Sequence, residues 1–149
     1  MLGLIPIAAL GLMLSPPAVA APSAEAEAVV DGFHSALAKG DTKAAAALLA
    51  DDALIFEEGG AERSKSEYAA HHLPADAAFS QAVRSSTARR SSDASDGVAW
   101  VASEGRIKGT YKGRPIDRVT AETMVLRQTS EGWKIVHIHW SSAAARAAD

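Results

Sequence analysis

Apolar residues recur at Ala26, Val29, Val30, Phe33 and Leu37, the three-and-four spacing that lines one face of a helix. The pattern predicts an amphipathic helix capped at Ser23 and closed by Lys39-Gly40. Asp41 is placed to cap a second helix running through Ala44–Leu49 until Asp51-Asp52 halts it, and Leu54-Ile55-Phe56 predicts a short strand. Gly59-Gly60 turns the chain, Ser64-Lys65-Ser66-Glu67 forms a capping box for a third helix over Tyr68–His72, and Pro74 limits that helix. Ala75–Phe79 adds at most one further helical turn. From about Gln81 the period changes to two, predicting strands near Val83–Ser92, Val98–Tyr111, Ile116–Gln128 and Trp133–Ser142. Their short connections, each carrying Gly, imply antiparallel neighbours. Helices placed ahead of an antiparallel meander describe an α+β domain, its long first helix lying on one face of a twisted sheet.

The first segment has another character. Residues Leu2 to Leu14 are apolar apart from Gly3, Pro6 and Gly11, shorter than the about 20 residues of a spanning helix. Ser15-Pro16-Pro17 breaks the run and Ala18-Val19-Ala20 offers small residues to a signal peptidase, so residues 1–20 are expected to be a signal peptide cleaved after Ala20. No Lys or Arg precedes Lys39, so the terminal amine is the sole positive group of this leader, and an uncleaved anchor is the alternative. Cleavage would leave one domain over residues 21–149, periplasmic or secreted, without a stable membrane span. The absence of Cys excludes disulfides and thiolate metal sites. Fifteen basic against eighteen acidic residues, a formal charge of −3, gives no global footprint for nucleic acid. The run Arg84, Arg89, Arg90 among serines reads as an edge strand blunted by charge.

Gly132-Trp133-Lys134-Ile135-Val136-His137-Ile138-His139-Trp140-Ser141-Ser142 resembles the closing strand of the nuclear transport factor 2-like superfamily, in its SnoaL-like and kinase-association-domain branches. Leu37-Ala38-Lys39-Gly40-Asp41, followed by Leu48-Leu49-Ala50-Asp51-Asp52-Ala53, is similar to the helix, Gly-Asp, helix, Asp-Asp-Ala, strand opening of that superfamily. The resemblance spans about residues 25–142. It implies a cone, in which a strongly curved antiparallel sheet wraps around the helices, with a pocket at the wide end and frequent homodimers through the outer face of the sheet. It leaves activity open, since members include isomerases, dehydratases, cyclases and binding modules.

Under strict strand alternation His137 and His139 share a face with Trp133 and Ile135, with the imidazoles about 7 Å apart. Facing a pocket, they would serve as an acid–base pair or, with His72 or His71 from the third helix, as ligands for Zn²⁺ or Cu²⁺. Alternatively they are structural, one bonding a neighbouring carbonyl and one facing a dimer partner. The candidate acids are Glu57, Glu58, Glu104 and Glu122; Glu104 shares a strand face with Trp100 and Arg106, and Glu122 one with Thr120 and Met124. Phe56, Tyr68, His72, Trp100 and Trp133 are the expected pocket lining. Asp31 and His34, three apart on the first helix, are expected to face solvent, with a dehydratase-like pairing as the alternative. The carboxylate-plus-tyrosine set that steroid isomerases of the superfamily need is not evident. The function expected is therefore an exported domain that binds a small, partly apolar molecule. The alternatives are a cofactor-free lyase or isomerase using a pocket His/Glu acid–base pair, a periplasmic metal-binding protein on His72, His137 and His139, and an oligomeric assembly module whose pocket is vestigial.

Overall fold

A computed structural model describes residues 21–146, so the expected signal peptide lies outside the described residues. Helix α1 spans Pro22–Lys39 and buries Ala26, Val30, Phe33, Ala36 and Leu37 along one stripe. Its N-cap is Ala21 rather than Ser23: Pro22 takes the first turn, where a missing N–H costs nothing. Gly40 closes it at φ 73°, a left-handed position that a side chain resists. Helix α2 (Thr42–Ala47) starts where Asp41 accepts from the Ala44 N–H at 2.9 Å. Helix α3 (Lys65–Ala70) starts where Ser64 Oγ accepts from the Glu67 N–H, while Glu67 reaches back to the Arg63 N–H at 2.7 Å.

Several elements depart from the expected lengths: α2 yields Leu49 to the next strand, and α3 ends at Ala70, which leaves His71 and His72 in the turn after it rather than on the helix. Strand β1 runs over Leu49–Glu57, far beyond Leu54–Phe56, because Leu49, Ala50, Ala53 and Ile55 all find buried positions and Asp51-Asp52 faces solvent between them. Strand β2 (Gly60–Glu62) adds a hairpin whose turn is Glu58-Gly59, both at positive φ. Helix α4 occupies Leu73–Ala82, since Pro74 opens a helix here as well as ending its predecessor. Among the described residues no helix is long and apolar enough to cross a membrane.

Strands β3 (Val83–Ser95), β4 (Val98–Tyr111), β5 (Arg114–Thr129) and β6 (Gly132–Ala144) form the expected antiparallel meander. The six strands are ordered β2-β1-β6-β5-β4-β3 in one open, curved sheet. It is mixed rather than wholly antiparallel: β6 returns beside β1 in the same direction, pairing Ile55 with Ile138 and Glu57 with Trp140. Helices α1 and α4 pack on one face, and the core between helices and sheet includes Phe33, Ile55, Tyr68, Val101, Met124 and Ile138.

A bulge in β6 overturns one side-chain assignment. Leu126 pairs with Ile135 but the preceding Val125 pairs with His137, so Val136 is an extra residue. It resets the alternation, which puts Trp133, Ile135, Ile138 and Trp140 toward the helices and turns His137 and His139 to the outer face. A second bulge, between Thr87 and Arg89 of β3, lets both Thr87 and Arg90 face the helix side.

Candidate active site

One transverse row of the concave face crosses five strands. Glu57 of β1 pairs with Trp140 of β6, Trp140 with Glu122 of β5, Glu122 with Ser103 of β4, and Ser103 with Arg90 of β3. The row beneath it consists of Ile55, Ile138, Met124 and Val101, all fully buried. Polar chemistry thus begins where the core ends.

Glu122 is the best-held group of the row. Its side chain is 9% exposed, and Oε2 lies 2.8 Å from His34 Nε2 on α1. The Trp140 indole N–H donates to the same oxygen at 2.6 Å. Phe33 fixes both partners, stacking on Trp140 at 6.3 Å and meeting the His34 ring edge-on at 6.0 Å. Burial alone would raise the Glu122 carboxyl, but the bond from His34, the His34 and Arg90 charges and the Trp140 N–H outweigh it and hold the group below the usual range. A carboxylate only accepts, so His34 carries a proton on Nε2; in the neutral ring Nδ1 is then the acceptor. Beside them Arg90 donates through Nε to Ser103 Oγ at 3.2 Å and pairs with Asp31 at 2.9 Å. These groups wall an open cleft of about 140 Å³ that continues over Thr87, Gly105 and Thr120.

At the other end of the row Glu57 stands against α3 and α4. Burial first, then the nearby Asp76 and Glu58 carboxylates, push its carboxyl up to about 7. Tyr68 OH donates to Asp76 Oδ2 at 2.7 Å; burial drives both groups upward, Asp76 despite the Tyr68 bond and the nearby His72. His72 pairs through Nδ1 with the buried Glu62.

Of the other residues singled out from sequence, Glu122 and Glu57 face the helix side, and Glu104 borders the cleft while its strand alternation shares a face with Trp100 and Arg106. Glu58 occupies the β1–β2 turn, where a shallow hollow also touches Phe56 and His139. His137 donates through Nδ1 to the Leu54 carbonyl at 2.8 Å, and the Phe56 ring meets both His137 and His139 edge-on. Tyr68 is wholly buried, and Trp133 is in the core with its N–H directed at Glu25. Trp100 is 41% exposed on the outer face. The metal set does not assemble: His72 is tied to Glu62 on the helix side, His137 and His139 are on the outer face, and among the described residues no three His, Asp or Glu side chains are grouped for a cation. Asp31 and His34 are open to solvent as expected, at 63% and 43%, yet each also reaches a strand, Arg90 and Glu122 respectively. The available signal was position: His34 adjoins the buried Phe33 at the edge of the apolar stripe.

A family model described as a SnoaL-like domain matches residues 26–145. The chain belongs to the SnoaL-like domain family. A candidate ketosteroid isomerase from Shewanella frigidimarina is 38% identical to this SnoaL-like chain, with a TM-score of 0.75 over 78% of this chain and 94% of that one. A candidate calcium/calmodulin-dependent protein kinase II association domain from Xanthomonas campestris is 22% identical, with a TM-score of 0.67 over 80% and 86% of the two chains. The kinase hub of S. rosetta is 19% identical, with a TM-score of 0.68 over 85% and 100%. At such identities the last two show the fold alone. No curated protein matches this SnoaL-like chain.

Proposed function

We propose that this SnoaL-like domain is a cofactor-free lyase or isomerase that moves a proton on a small molecule bound in the concave cleft. The observation that carries the proposal is the His34–Glu122 pair, 2.8 Å apart on the cleft wall, with the carboxylate buried and the imidazole partly open. In the neutral ring the Nε2–H tautomer leaves Nδ1 to take a proton from a carbon beside a carbonyl, and Glu122 stabilises the imidazolium that results. Return of the proton to a neighbouring atom completes an isomerisation; delivery to a departing hydroxyl, released as water, completes an elimination. The pair expected from sequence is thus retained in kind, with His34 replacing His137 and His139.

The likeness to a candidate ketosteroid isomerase supports the reaction class. The reading extends to a homodimer through the outer face, where Trp100, Phe56, Val98 and Val119 are exposed, and to a periplasmic or secreted protein if residues 1–20 are cleaved as a leader. Deuterium wash-in, followed by proton NMR over a panel of small ketones and hydroxy ketones in D₂O, tests it. Wild type is expected to catalyse exchange next to the carbonyl, falling about 10²- to 10⁴-fold in His34→Ala and in Glu122→Gln. Binding without any catalysed exchange would make the domain a binding module instead.

A further inference from the structure

The cleft is too small and too polar for the partly apolar molecule expected from sequence. Every residue that borders it is polar or glycine. Four hydroxyls, those of Ser85, Thr87, Ser103 and Thr120, come from three strands on its helix-facing side. A hydroxyl both donates and accepts, so such a lining suits a ligand whose own groups do both. The floor between them is nearly bare backbone: a Cβ on Gly105 would fall 2.5 Å from the Ser86 carbonyl oxygen and 3.2 Å from Thr120 Oγ1. Charge narrows the class further. The three carboxylates that border it, Asp31, Glu104 and Glu122, outnumber Arg90 and His34, and Arg90 is already engaged by Asp31, so an anion entering here is repelled. Volume narrows it again, because about 140 Å³ is less than half the roughly 300 Å³ at which pockets for drug-sized ligands begin.

We propose that the cleft takes an uncharged, hydroxyl-rich molecule of monosaccharide size, held by these strand hydroxyls: a short polyol binds without reacting, and a simple sugar sets the carbon beside its carbonyl against His34. The inference rests on the cleft being the working site and specifies what enters it. Saturation-transfer NMR on the full domain, with erythritol, xylose and glucose as probes and cyclohexanone as the apolar comparison, provides the test. At least one polyol or sugar is expected to bind. Its affinity should fall about tenfold for each hydroxyl removed in Ser103→Ala, Thr120→Val and Thr87→Val, the loss of one ligand hydrogen bond. Three variants on three strands, each checked for an unchanged Tm, keep the result independent of any one that folds poorly. Absence of polyol and sugar binding, binding indifferent to all three substitutions, or cyclohexanone taking the cleft in preference would each overturn the proposal. Sugar binding without His34-dependent exchange would defeat the catalytic reading and leave this one standing. Exchange confined to apolar ketones would do the reverse.

Discussion

At Glu57, burial and two neighbouring carboxylates raise the carboxyl from its ordinary 4.5 to about 7. Between those values the folded chain keeps a proton that the unfolded chain has released, so this group's contribution to stability declines as pH rises through the window. Asp76, also raised, acts in the same direction. Glu122 acts in the opposite one: its carboxyl is lowered, so its stabilisation is complete above the unfolded value and is lost as pH falls through the folded one. Glu57→Gln is therefore expected to gain Tm over wild type at pH 8 and to show no such gain at pH 4.5, measured by thermal melts across that range. A difference independent of pH would show that the Glu57 carboxyl is not perturbed. The sequence exposed this residue only as one of four candidate acids, because its neighbours Asp76 and Tyr68 arrive from helices that local pattern does not place. The same holds for His34, whose partner Glu122 is 88 positions away in the chain.

The end of α1, the starts of α2 and α3 and the hairpin turns were legible because their signals are local: Gly40 at a left-handed helix end, Asp41 and Ser64 as caps, Asp96-Gly97 and Lys112-Gly113 at the hairpin bends. Strand faces were legible only up to the first bulge. Val136 is an ordinary β-branched residue with no Gly or Pro beside it, so nothing in the sequence marks the place where alternation resets. The parallel pairing of β1 with β6 was equally hidden, since it joins segments about eighty residues apart. The bulge predicts unequal costs for adjacent residues of β6. Ile138, fully buried between Met124 and Ile55, is expected to lose about 2–5 kcal/mol as Ile138→Ala. His139→Ala, on the outer face, is expected to lose less than about 1 kcal/mol. Urea denaturation of the two variants reads this directly, and the reverse order would restore strict alternation.

Across the whole molecule, one sheet divides two chemistries. Its concave side passes from an apolar floor to the row Glu57, Trp140, Glu122, Ser103, Arg90, and its outer side carries Trp100, Phe56, His137 and His139. Fold class and family were legible because the order of helices and strands and the closing strand survive local errors. The proposed site was half legible: Glu122 was singled out, the pairing of His34 with it was not, and the hydroxyl cleft arises only when β3, β4 and β5 lie side by side. The proposed dimer rests on the exposed Trp100, Phe56, Val98 and Val119 of the outer face. The central claim is that Glu122 fixes His34, rather than any outer histidine, as the working imidazole. Long-range ¹⁵N–¹H NMR of the imidazoles in wild type and Glu122→Gln tests it most directly. The expected result is a single Nε2–H tautomer for His34 in wild type that is lost in the variant, with the His137 and His139 signals unmoved. A His34 ring that already exchanges between tautomers in wild type, or that ignores Glu122→Gln, would contradict the account.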